Sequence, residues 1–213
     1  MKLTREELFR KLLHFFALLI PAGIYYVPYI FKLSKWLPAY VLGCLMAVSI
    51  FIETARRENS FVQKYFLKFF LIMMRKNEIK SFTGSTYIIA SGFICSVVFV
   101  NRPEVSFISL FSFILGDAAA AIIGIEFGRI RIRGKSIEGF LACFAVVFLL
   151  NFYLFPKLPY IMENFAGAFS LQACFKISFL VSILEFYSIR VFNIEINDNL
   201  YVPVLCGLAI LFV

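Results

Sequence analysis

Histidine is almost missing from this chain of 213 residues, where His14 stands alone. The five cysteines (Cys44, Cys95, Cys143, Cys174 and Cys206) form no C-x-x-C pair, and all lie inside apolar runs. One imidazole and unpaired cysteines exclude most zinc sites, so the thiols read as small buried apolar groups. Charged residues are scarce, at 16%. There is no internal repeat, no low-complexity tract and no linker, so residues 1–213 read as a single domain. No A-x-A-like cleavage site follows the first apolar run, which therefore reads as a retained span and not as a signal peptide.

What the chain has in excess is apolar surface. Hydrophobic residues make up 62% and aromatics 18%, and the mean hydropathy is +0.88. A soluble domain of this length is nearer half apolar. Seven stretches approach the roughly 20 apolar residues that cross a bilayer, at 12–31, 38–53, 84–100, 104–125, 139–155, 168–188 and 199–213. Two of them, 38–53 and 84–100, are short for that purpose. Between them, residues 60–76 put Phe61, Tyr65 and Phe69 on one helical face, with Ile72 or Met73, and Lys64, Lys68 and Arg75 on the other. That pattern suits a helix lying in the membrane interface. The expectation is an all-α polytopic integral membrane protein of about seven transmembrane helices plus an interfacial amphipathic helix.

The net charge of +8 could point to nucleic acid. In so apolar a chain, basic cytoplasmic loops explain it better. With the N-terminus inside, 16 of the Lys and Arg residues fall on the cytoplasmic side and Lys32, Lys35, Arg102 and Lys157 fall outside. The bias predicts an N-in, C-out arrangement. The unusual polar segments gather on the same predicted face: 6–14, 51–57, 75–87, the end of the fourth span, the start of the fifth, and 184–203.

Several of these polar groups have ordinary readings. Glu53 with Arg56 or Arg57 fits a solvated helix end. Ala120, Gly124 and Gly128 form a small-xxx-small ridge that close helix packing explains. Lys176 fits either a snorkelling side chain or the lining of a polar cavity. Asp117 does not fit such readings. A carboxylate within a span costs roughly 2.5–3.5 kcal/mol on insertion scales, so it should face a cavity, a cation or a metal. Behind it come Arg129, Arg131 and Arg133, spaced to share a face if extended, then Lys135 and Ser136. Carboxylates to hold a metal, bases to neutralise phosphate oxygens and glycines to admit backbone N–H groups are what a magnesium-bound polyphosphate needs. "GKS" at 134–136 is not a P-loop, because the position that requires its first glycine is Arg129.

The motifs resemble those of the polyprenol, dolichol and phytol kinases and the CTP-dependent diacylglycerol kinases, a group related to the phosphatidate cytidylyltransferases. R-K-x-x-H appears as Arg10-Lys11-Leu12-Leu13-His14, and R-x-x-E with T-G-[AS]-T-Y as Arg75, Glu78 and Thr83-Gly84-Ser85-Thr86-Tyr87. The G-D-[AS]-x-A, G-x-x-x-G and K-[ST]-x-E-G elements appear as Gly116-Asp117-Ala118-Ala119-Ala120, Gly124 with Gly128, and Lys135-Ser136-Ile137-Glu138-Gly139. The closing motif is Glu185, then Asp198-Asn199-Leu200-Tyr201-Val202-Pro203.

The resemblance implies a lipid-alcohol kinase that moves the γ-phosphoryl of CTP to an isoprenoid alcohol or diacylglycerol at the cytoplasmic face, with Mg²⁺. Asp117, Asp198 and Glu138 are then the candidate metal ligands and catalytic carboxylates. The candidate nucleotide contacts are Lys135, Ser136, Arg129, Arg131, Arg133, Gly124, Gly128, Asn199, Thr86, Arg75, Arg10, Lys11 and His14. The residues themselves also admit a cytidylyltransferase acting on a lipid phosphate, or a transporter with Asp117 and Lys176 on its path. Nucleic acid is not an expected partner.

Overall fold

A computed structural model describes residues 15–70, 74, 78, 81–191 and 194–213. Helices form at all seven predicted stretches. They are α1 (Leu19–Phe31), α2 (Leu37–Glu58), α4 (Gly84–Val98), α5 (Pro103–Glu126), α6 (Ile137–Leu149), α7 (Leu171–Phe186) and α8 (Asp198–Ile210), and α3 (Ser60–Phe70) lies between α2 and α4. Two short antiparallel hairpins interrupt the helical order: β1 (Arg131–Ile132) with β2 (Lys135–Ser136), and β3 (Arg190–Val191) with β4 (Ile194–Glu195).

The boundaries follow local chemistry. Proline sits in the first turn of α2 and of α5, where the N–H it lacks would have no helical partner. Ser136, Ser170 and Asn197 cap α6, α7 and α8 with side-chain oxygens. Helix α2 runs to Glu58 and is 22 residues long, so the apparent shortness of 38–53 came from its polar last turn. After Leu149, α6 widens into a π-turn and ends in a 3₁₀ turn at Lys157. Among the described residues, three helices are long and apolar enough to cross a membrane: Leu37–Glu58, Pro103–Glu126 and Ile137–Lys157. Leu19–Phe31, Gly84–Val98 and Asp198–Ile210 are shorter apolar helices.

Helix α5 is the centre of the bundle, touching α1, α4, α6, α7 and α8. Its tightest contact, with α6, runs along small residues. A Cβ built on Gly116 would lie 2.9 Å from Cys143 Sγ and from Val147, and one on Gly139 would lie 2.7 Å from the carbonyl oxygen of Ala120. Large apolar side chains such as Phe51, Leu141, Leu149 and Phe175 are exposed around the outside. An outward apolar surface suits lipid as solvent. On α3, the aromatic face of Phe61, Tyr65 and Phe69 is likewise exposed.

Candidate active site

One helix interior and two helix ends bring three carboxylates together. Asp117 is nine residues before the end of α5, Glu185 is in the last turn of α7, and Asp198 is the first residue of α8. One carboxylate oxygen from each lies within 4.8 Å of the others. Tyr201 holds α8 to the end of α7 by donating its hydroxyl to the carbonyls of Leu184 (2.8 Å) and Tyr187 (3.0 Å). The positive end of α8's dipole falls at Asp198 and favours a negative charge there.

Lys135 reaches into this group from β2. Its Nζ is 2.6 Å from Glu185 Oε1 and 3.1 Å from Asp198 Oδ2, and it also donates to the Glu185 carbonyl. Burial pushes the lysine pKa down, but Glu185, Asp198 and Asp117 outweigh it and raise the pKa above its ordinary value. When all are ionised, three carboxylates against one ammonium carry two net negative charges. Oxygen donors with that charge match a hard divalent cation such as Mg²⁺.

The hairpin that delivers Lys135 turns on two left-handed residues, Arg133 (φ 50°) and Gly134 (φ 88°). A two-residue connection of that kind matches the strand twist. It also means that Arg129, Arg131 and Arg133 do not line one extended face, because the chain reverses at Arg133. Arg131 donates to the Gly124 carbonyl at 3.0 Å. Ser136 accepts from Gly139 N at 3.0 Å as the cap of α6. Glu138 accepts from the backbone N–H groups of Arg129 (3.0 Å) and Ile130 (3.4 Å), so it closes the hairpin and does not join the trio. Gly124 and Gly128 face Ser136, with a Cβ on Gly124 reaching within 2.8 Å of Ser136 Oγ. Their close approach is chain to chain.

Two other expected residues belong to a neighbouring network. Thr86 bonds Ser49 (2.7 Å) and Glu53 (3.2 Å), and Asn199 donates its side-chain amide to the Gly84 carbonyl (3.1 Å). Glu53 and Arg56 are buried and paired, not a solvated helix end. Lys176 is exposed on the bundle surface, which fits a snorkelling side chain. Arg10, Lys11, His14 and Arg75 lie outside the described residues. The residue whose role the sequence reading missed is Glu185. The signal was there: like Asp117, it is a carboxylate inside a predicted apolar span, and the same cost applies to it.

Comparison with known proteins gives three relatives. An uncharacterized protein of Rickettsia prowazekii is 25% identical over 197 residues, 91% of this chain and 88% of its own. An uncharacterized protein of Methanocaldococcus jannaschii is 30% identical over 142 residues, 66% of this chain and 64% of its own. The CTP-dependent diacylglycerol kinase 1 of Saccharomyces cerevisiae is 26% identical over 217 residues, 97% of this chain and 73% of its own. No protein-family model matches the chain, and no solved structure does. This mainly helical chain is thus distantly similar, over nearly its full length, to a lipid kinase.

Proposed function

We propose that the protein is an integral membrane lipid kinase that transfers the γ-phosphoryl group of CTP to the hydroxyl of a membrane lipid, an isoprenoid alcohol or diacylglycerol. The observation that carries this reading is the meeting of Asp117, Glu185 and Asp198 around Lys135. The distant similarity to a CTP-dependent diacylglycerol kinase supports the donor and the class of acceptor. The positive-inside bias supports seven spans, N-in and C-out, with the site at the cytoplasmic face.

In this reading Asp117, Glu185 and Asp198 would hold Mg²⁺, and Glu138 keeps the hairpin closed in place of the ligand role expected for it. When bound, the ion would neutralise charge on the phosphate oxygens of the donor. Lys135 adds a positive charge at the same point, and the exposed bases of the hairpin draw the triphosphate in from the cytosol. The acceptor oxygen bonds to the γ-phosphorus as the bond to the bridging oxygen breaks. CDP leaves, and the hydroxyl proton passes to a carboxylate of the trio. Phosphoryl transfer asks little covalent chemistry of a protein, so positioning and charge supply most of the rate.

The test is purified protein with Mg²⁺ and CTP labelled on the γ-phosphate, against a panel of lipid alcohols and diacylglycerol. Label in the lipid supports the kinase. Equal transfer from ATP would overturn the choice of donor. Lipid labelled from the α-phosphate, with pyrophosphate released, would mean cytidylyl transfer.

A further inference from the structure

The last turns of α2 carry an ion pair withdrawn from solvent, with Glu53 2% exposed and Arg56 0% exposed. Buried charges persist only when their hydrogen-bonding capacity is met, and here the segment leading into α4 meets much of it. Glu53 Oε1 accepts from Thr83 N (3.1 Å), Thr83 Oγ1 (2.5 Å) and Thr86 Oγ1 (3.2 Å). Glu53 Oε2 accepts from Arg56 Nε at 2.7 Å. The guanidinium also donates to the carbonyls of Glu78 (2.9 Å) and Ser81 (2.7 Å). The pair therefore fixes the backbone leading into α4 at three points: Glu78, Ser81 and Thr83.

Gly84 carries the constraint onward. Its N–H donates to Glu78 Oε1 (3.0 Å), and its carbonyl accepts from the Asn199 side chain (3.1 Å). A Cβ on Gly84 would come within 2.9 Å of that amide nitrogen. Asn199 follows Asp198 in the first turn of α8, and its backbone N–H donates to Asp198 Oδ1 at 3.1 Å. We propose that the buried Glu53–Arg56–Thr83 network is a strut that positions the Asp198 carboxylate, acting through Gly84 and Asn199. The proposal rests on the reading of Asp117, Glu185 and Asp198 as a metal site. It makes Glu53, Arg56 and Thr83 positioning residues that need touch neither metal nor nucleotide.

Replacing Glu53 or Arg56 would strand a buried charge and risk the fold. Thr83→Val is gentler, removing one hydroxyl while keeping shape and backbone N–H. The experiment is Mn²⁺ titration of the full chain in nanodiscs, followed by the spectrum of free Mn²⁺, with thermal unfolding in parallel. Thr83→Val and Asn199→Ala should each weaken Mn²⁺ binding by about tenfold, the loss common when a partner of a metal ligand is removed. Thr83→Ser should bind like the wild type. The double variant should bind no worse than Asn199→Ala alone, since both changes sever one connection. A Thr83→Val protein that melts earlier but binds Mn²⁺ normally would overturn the strut, as would single losses that add in full. Wild-type protein that binds no Mn²⁺ would overturn the metal reading and the strut with it.

Discussion

Lys135 and Glu185, 50 positions apart, meet with Nζ 2.6 Å from Oε1. That contact joins the hairpin after α5 to the last turn of α7, and Asp198 is held by the same ammonium. Lys135→Ala should therefore act on the site and not only on the loop. It removes an ammonium whose charge-assisted contact with a phosphate oxygen would be worth about 1.5–3 kcal/mol, so KM for the nucleotide should rise by roughly tenfold or more. Steady-state kinetics at saturating lipid would check this, and an unchanged KM would remove Lys135 from the nucleotide site.

Glu185 and Glu138 should separate cleanly. Glu185→Gln removes a proposed metal ligand and should cut turnover by about a hundredfold, the scale of losing one charge stabiliser. Glu138→Gln should loosen the hairpin, lower the unfolding temperature and leave most turnover intact. The reverse ranking would restore Glu138 as the ligand.

How far this was legible in the sequence depended on the kind of signal. The helices were legible because seven apolar runs of near-bilayer length leave little choice. Asp117 stood out because a carboxylate inside an apolar run has a cost to answer, whereas Asp198 was named through the motif that the resemblance supplies. Glu185 was seen as part of a motif, but nothing in its spacing says that the end of α7 meets Asp117 within α5. That is a matter of packing, set by Tyr201 and the hairpin. The three arginines misled because alternation assumes an extended strand, and the left-handed pair at Arg133 and Gly134 reverses the chain. Glu53 looked solvated because Thr83 and Thr86, which bond it, lie 30 and 33 positions on in sequence.

Gly139 offers a test of packing. A methyl group there would press on the Ala120 carbonyl at 2.7 Å, so Gly139→Ala should destabilise the bundle by about 1–3 kcal/mol. Thermal unfolding in detergent would show it. Gly23, where a Cβ meets nothing within 4 Å, should tolerate alanine with no loss of stability.

Topology can be checked directly. A reporter fused after Val213 should read as external, and one inserted between Arg133 and Gly134 as cytoplasmic. Both on one side would sink the seven-span arrangement.

The most direct measurement of the central claim is phosphoryl transfer by Asp117→Asn, compared with the wild type in the same membrane mimic. Asn keeps the shape and removes the charge, and it should ease insertion, since a charge within a span is costly. Wild-type protein should move the γ-phosphate of CTP to lipid in the presence of Mg²⁺. The folded variant should transfer it at least about a hundredfold more slowly. Near-normal turnover by Asp117→Asn would contradict the metal-centred account.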